Sequence, residues 1–277
     1  MIVVGSPVPA RNGSARPARA GGPAAVLGGL LLALAGQAVA DCSRPVIAPV
    51  APAARLAIVE GERVSGVWPD FLRQLGADIG CRFEFPVLPR ARLELELLAG
   101  ETLDLMVPAT QTPERDRRAL FVPLLRQPLM LLTRSADAGK IDNSLEALRQ
   151  SGWRTAILRS YAFSPAYRAL IAELETQHRV DYVNDADAIG RMLRAGRVEF
   201  ALLPPSVAHA VAGPGMGLRR FEALPPLEVG VYLSTRTLAA SDLTLLRDGL
   251  ARAAREGRVR RAFARYYPPE VVEAILP

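Results

Sequence analysis

Asp104-Leu-Met-Val-Pro-Ala-Thr-Gln-Thr-Pro-Glu-Arg115 is the stretch on which the reading of this chain turns. An apolar strand, Asp104 to Val107, runs into a loop of hydroxyls, an amide and prolines that delivers one arginine. In an open α/β sheet, ligands bind just beyond the carboxyl ends of strands. An arginine placed there grips a carboxylate through two parallel charge-assisted bonds. Thr110 and Arg115 are therefore the candidate anion grip. On local grounds alone, a solvated arginine on a surface turn is the commoner case.

Working outward, Arg55–Val59 reads as a first strand and 60–66 as its exit loop. A helix is expected over 69–79, with Phe71, Leu72, Leu75 and Ile79 on one face and Gly80 closing it. Cys81 to Val87 alternates and carries aromatic and β-branched residues, which predicts the second strand. The Leu-Glu alternation in 89–100 would suit a strand, yet Ala91, Leu95 and Leu98 also fall at helical spacing. Strong helix formers and the terminal Gly100 favour helix. Strand–helix–strand–helix–strand in so short a span implies parallel strands with helical crossovers.

Downstream, Leu120-Phe-Val-Pro and 128–133 are apolar and strand-like. A second series follows: helix 145–150, strand 155–158, helix 165–175, strand 180–183, helix 187–195 and strand 200–203. A long return strand over 224–234 precedes a helix over 242–255, whose buried face is Leu243, Leu246, Leu250 and Ala253. An aromatic-tipped turn, Phe263 to Tyr267, ends the pattern. The expected fold is α/β: two doubly wound lobes joined by a two-segment hinge, with a cleft between them. The first lobe takes 55–127 and 228–277, the second 134–223, and the hinge segments are 128–133 and 224–227.

The first forty residues read as a leader. Arg11, Arg16 and Arg19 come without an acidic residue, an apolar run follows from about Ala24 to Ala35, and Ala38-Val-Ala40 is a cleavage site. These parts predict a secretory signal peptide cut after Ala40 and a periplasmic location. Residues 41–54, rich in Pro and Ala, are expected to be an extended lead-in. Losing three arginines takes the formal charge from +6 to +3. Aromatics are only 6%, so the basic stripe with interleaved aromatics that marks a nucleic-acid binder is not expected. Cys42 and Cys81 make an even count in an exported chain, which permits a structural disulfide. Two cysteines and the distant His178 and His209 assemble no metal cluster by spacing, so neither metal nor cofactor is expected. Ser206 and His209 lie three apart with no orienting acid, and His209 reads as an ordinary helix residue.

Several pieces together carry a resemblance: Gly66-Val-Trp-Pro-Asp-Phe-Leu72, Leu97-Leu-Ala-Gly-Glu-Thr-Leu-Asp-Leu-Met106, Thr112-Pro-Glu-Arg115 with Phe121-Val-Pro, Gly196-Arg-Val-Glu-Phe-Ala-Leu-Leu203, and 255–267. In this order they resemble the bacterial periplasmic solute-binding proteins of family 3, which serve ABC importers of polar amino acids and related solutes. The resemblance implies a monomer whose two lobes close on a small carboxylate-bearing ligand, an inner-membrane permease as partner, and no chemistry. Arg115 falls on the residue that grips the carboxylate, with Ala109 and Thr110 giving backbone and hydroxyl contacts. Ser160, Tyr161 and Ala162 fall on the second-lobe loop that leads to a helix N-terminus, a favourable place for an anion. Trp68 and Arg90 are further candidates for the cleft, although Arg90 reads equally well as an exposed helix-start arginine.

One departure stands out. Where amino-acid binders of the family carry an acid after the fourth second-lobe strand, this chain has Leu202-Leu203-Pro204-Pro205. Pro204 then lines the rim, and only Glu60 or Asp187 is left to pair with an ammonium. This favours an organic acid or aromatic carboxylate over a standard α-amino acid. Two alternatives remain: a dehydratase-like enzyme on the same scaffold, or a ligand sensor for a membrane receptor.

Overall fold

A computed structural model describes residues 41–275, apart from residues 141, 160 and 162. The expected signal peptide, Ser160 and Ala162 lie outside the described residues. In chain order the elements are β1 (Val46–Ile47), β2 (Ile58–Glu60), β3 (Arg63–Ser65), α1 (Val67–Ile79), β4 (Phe83–Glu84), α2 (Arg90–Ala99), β5 (Leu105–Thr110), α3 (Pro113–Asp116), β6 (Ala119–Gln127) and β7 (Leu129–Arg134). The second half comprises α4 (Leu145–Gln150), β8 (Thr155–Leu158), α5 (Pro165–Thr176), β9 (Val180–Val183), α6 (Ala186–Arg194), β10 (Phe200–Leu203), α7 (Pro205–Val211), β11 (Met216–Phe221), β12 (Leu227–Ser234), α8 (Ala240–Arg255), α9 (Arg258–Ala264) and α10 (Pro269–Glu273).

The chain is an α/β protein of two lobes. In one lobe β1 and β4 pair in parallel, while β12 lies between β5 and β6 and is antiparallel to both. The other lobe holds a five-stranded sheet, β11-β7-β10-β8-β9, in which β10, β8 and β9 are parallel and β7 and β11 run the other way. The inner strand Phe200–Leu203 of this second sheet is apolar and buried at every position, as a strand under crossover helices must be.

The N-terminal segment, expected as an extended lead-in over 41–54, is extended at Val46–Ile47 and also pairs into the first lobe. Val46–Ile47 is a strand of the first lobe, and Asp104 is what stitches it in. The Asp104 carboxylate is almost fully buried. It accepts the Ile47 N–H at 2.8 Å and both terminal nitrogens of Arg44 at 2.7 Å, while its own N–H donates to the Ile47 carbonyl. Ser43 is tied to Asp242 at the start of α8. The expected first strand, Arg55–Val59, contributes only Ile58–Val59, and these form an antiparallel hairpin with β3. Gly61 turns the hairpin at φ +60°, which leaves Glu60 exposed near its tip.

The first crossing between lobes is shorter than expected and the second begins two residues earlier. Leu129–Thr133 pairs inside the five-stranded sheet, so the first crossing is Pro128; the second is 222–226. At the centre of β12, Gly230 sits at a bulge where a Cβ would come within 2.1 Å of the Val122 carbonyl oxygen, so only glycine fits. Gly66, at φ +112°, swings the chain from β3 into α1, and its N–H donates to the Tyr266 hydroxyl at 3.2 Å. That hydroxyl also bonds Asp70. The C-terminal segment is thereby clipped to the first turn of α1, and α10 beyond it packs on α9 and on α7 of the other lobe.

Cys42 and Cys81 are joined, with Cα atoms 4.9 Å apart, and the bridge closes 39 residues of chain. Cross-linking a loop of that length restricts the unfolded chain, and reduction is expected to cost about 2–4 kcal/mol of stability. Urea unfolding with and without reductant measures this; coincident midpoints would refute it.

Candidate functional site

A cavity of about 510 Å³ lies between the two lobes. The first lobe contributes the 50–59 segment, Trp68, Arg90 and the carboxyl end of β5 from Val107 to Thr110. The second contributes Leu158, Arg159, Tyr161, Phe163, the start of α6 and the start of α7. Leu125, Gln127, Leu227 and Val229 line it from the strands beside the crossings, and Phe263 and Tyr267 from the C-terminal segment. Each lobe's strands thus present their carboxyl ends or adjoining loops to one space, as the rule for open α/β sheets requires.

The wall is largely aromatic and aliphatic, with polar groups at few points. Trp68 packs edge-on against Phe71 and Phe263, and Phe263 stacks on Tyr267. Tyr161, Phe163 and Tyr167 form a second aromatic run, at centroid distances of 5.5 and 4.7 Å. Burial pushes the Tyr267 hydroxyl up to about 12 and raises Tyr161 as well, so both are neutral donors near neutral pH.

Buried donors are almost always paired, and here several are not. Trp68 Nε1, Arg90 Nε and the Tyr267 hydroxyl are buried without a good hydrogen bond; the Arg55 backbone leans on the Tyr267 oxygen without taking its proton. All three belong to residues on the wall of this cavity. Arg90 makes neither a hydrogen bond nor an ion pair among the described residues. Burial lowers its pKa from the ordinary arginine value; Tyr161 opposes that shift, Arg115 adds to it and Glu94 opposes it. A guanidinium remains charged under such conditions. Among the described lining residues, Arg90 is therefore a partly buried cation with no carboxylate partner, while the other arginine, Arg159, is exposed and lies over the Tyr182 ring.

The expected grip, Arg115, is elsewhere. Its side chain is 2% exposed and is absent from the cavity wall. Nε and Nη2 donate to the two oxygens of Glu94 at 2.9 and 2.6 Å, and Nη1 donates to the Thr110 carbonyl at 2.7 Å. The turn that carries it is firmly built: Thr112 caps α3, the Thr112 N–H donates to the Tyr232 hydroxyl at 3.0 Å, and that hydroxyl donates to Asp116 at 2.7 Å. As the chain is folded, then, Arg115 is an internal ion-pair partner. It differs from the expected grip because the Glu94 carboxylate already fills its fork.

Of the other expected site residues, Trp68, Arg90, Ala109, Thr110, Tyr161 and Pro204 are on the wall. Glu60 is not; it is exposed on the hairpin. Asp187 and Asp185 do line the cavity, at the start of α6. Both are exposed, and Asp185 is occupied in capping the Ala188 N–H at 2.7 Å. They are the only carboxylates among the described lining residues. His209 meets Tyr267 ring edge to face, 6.3 Å between centroids. Gln127, Phe163, Phe263 and Tyr267 escaped the sequence reading as site residues. The aromatics at 263–267 stand out in the sequence only as the turn that ends the pattern.

No sequence family model matches the chain, and no curated protein does. Solved structures do. A histidine kinase sensor domain with similarity to periplasmic binding proteins aligns with TM-score 0.66 at 16% identity, over 81% of this chain and 96% of its own. The ligand-binding core of GluR0, in complex with L-glutamate, aligns with TM-score 0.66 at 14% identity, over 83% of this chain and 100% of its own. The ancestral amino acid-binding protein AncCDT-1, a precursor of cyclohexadienyl dehydratase, aligns with TM-score 0.66 at 16% identity, over 81% of this chain and 95% of its own. At such identities the likeness concerns architecture: the chain has the bilobed α/β fold of periplasmic-binding-protein-like domains.

Proposed function

We propose that this protein is a periplasmic solute-binding protein that captures a small carboxylate-bearing ligand between its lobes and hands it, unchanged, to an ABC-type permease. The observation that carries the reading is the group of orphaned donors, Trp68 Nε1, Arg90 Nε and the Tyr267 hydroxyl, around one cavity. Buried donors without acceptors are costly, and a ligand that brings oxygen acceptors and a negative charge offsets that cost. The surrounding aromatic wall suits an apolar body. An α-ammonium group would meet only exposed carboxylates, which are weak partners in water. An organic or aromatic acid therefore fits better than a standard α-amino acid. Among the described lining residues the only carboxylates, Asp185 and Asp187, are exposed, and the buried phenols of Tyr161 and Tyr267 are held neutral, which speaks for binding without turnover.

The sensor-domain neighbour supports a second reading, in which the same binding event is reported to a membrane receptor. Capture of a permease or of a receptor from membranes by the ligand-loaded protein separates the two. The binding step itself is tested by calorimetry with a panel of aliphatic and aromatic carboxylates and amino acids. A carboxylic acid is expected to bind saturably, remain chemically intact and raise the melting temperature, with about 2.7 kcal/mol of stabilisation at a hundred times Kd. Tight binding of an ordinary amino acid would refute the organic-acid preference, and conversion of the ligand would refute the absence of chemistry.

A further inference from the structure

Two guanidiniums and one carboxylate meet beside the cavity. Arg90 lines it, and Arg115 lies one hydrogen bond behind the wall, through the Thr110 carbonyl. Glu94 follows Arg90 by four residues on α2, so both project from the same face of that helix. Glu94 gives Arg115 the two-point contact, at 2.9 and 2.6 Å, that a bound carboxylate would otherwise give. The three side chains carry a net charge of +1, and all of it that is unpaired resides on Arg90.

Building on the binding function above, we propose that Glu94 is a specificity-determining residue: it serves as the site's own carboxylate, keeps Arg115 occupied, and restricts the cavity to apolar-bodied ligands with a single anionic group, held by Arg90. A monoanion brings the buried cluster to neutrality. A dicarboxylate brings a second charge to a wall whose other described cation, Arg159, is exposed over the Tyr182 ring and so a weak partner in water, and an uncompensated buried charge is expensive. Selectivity against diacids then comes from a charge the protein carries itself, a repulsive element built into the site.

The test is a charge ladder read by calorimetry with 3-phenylpropanoate and phenylsuccinate, which share an apolar body and differ by one carboxylate. Wild type, at +1, prefers the monoacid. Glu94→Gln raises the cluster to +2, and the affinity ratio moves toward the diacid by roughly 10- to 100-fold, the size of one charge–charge interaction at an effective dielectric constant of about 20. Arg115→Met lowers it to zero and weakens binding of both acids. The double variant Glu94→Met/Arg115→Met restores +1 with the pair replaced by packing, and wild-type preference returns. An unchanged ratio in Glu94→Gln, or a double variant that does not return, overturns the proposal while leaving the binding function standing. Should Glu94→Gln fail to fold, undiminished binding in Arg115→Met overturns it equally. Wild type binding neither acid overturns both.

Discussion

Arg90→Met is expected to weaken binding of a monocarboxylate by about 2–5 kcal/mol, the range for losing one partner of a desolvated charge pair. It is also expected to make the ligand-free protein harder to unfold. The two effects have one source. Arg90 Nε is buried without a partner, and burial leads the causes that lower its pKa. For a base, a lowered pKa in the fold means that the folded state disfavours the charged form relative to the unfolded chain, so the charge costs stability at neutral pH. Methionine has a similar reach, needs no partner, and packs readily against the neighbouring rings. Such a gain of stability with a loss of function is the signature of a binding residue held in an unfavourable environment. Calorimetry and urea unfolding on the same preparation measure both. Undiminished affinity would show that Arg90 does not hold the ligand; a less stable free protein would show that its charge is satisfied by water or by a contact made in solution.

Glu94→Ala is expected to destabilise the fold by about 3–5 kcal/mol, the cost of breaking a buried ion pair from one side. It strands Arg115, whose side chain is 2% exposed, with only the Thr110 carbonyl as partner. The reverse change, Arg115→Met, is expected to cost less. Methionine fills much of the vacated volume, and Glu94, 21% exposed, can turn its carboxylate to water. The order of the two variants is therefore the prediction, and denaturant midpoints decide it. An Arg115 variant less stable than the Glu94 variant would mean that the carboxylate, not the guanidinium, is the group that burial penalises.

Much of the architecture was legible because it is written in local periodicity. The strands Thr155–Leu158, Val180–Val183 and Phe200–Leu203 stand where their apolar runs end, and the helices between them where amphipathic spacing and capping residues put them. Asp185 and Ser164 cap their helices through side-chain oxygens, a signal readable within four residues. Gly80 and Gly100 close α1 and α2 in the left-handed region, as terminal glycines do. What local pattern misjudged was Val46–Ile47, a strand held not by its own sequence but by Asp104, 57 residues away. It also missed Met216–Phe221, whose apolar alternation is broken by Gly217 and by the adjacent Arg219 and Arg220 in this edge strand.

The site divides in the same way. Sequence alone determined that an arginine-bearing loop follows β5, that α2 begins with Arg90, and that no acid follows β10, because each of these is a matter of which residue stands at the end of a recognisable element. Which of Arg90 and Arg115 lines the cavity was decided only by the tertiary structure. Arg115 and Glu94 are 21 residues apart, and their oxygens and nitrogens meet because α2 and the β5 loop pack side by side. That contact takes one guanidinium out of play and leaves the other, Arg90, unpaired on the cavity wall. A charge pair between elements depends on how those elements dock, and residue spacing along the chain carries no record of it.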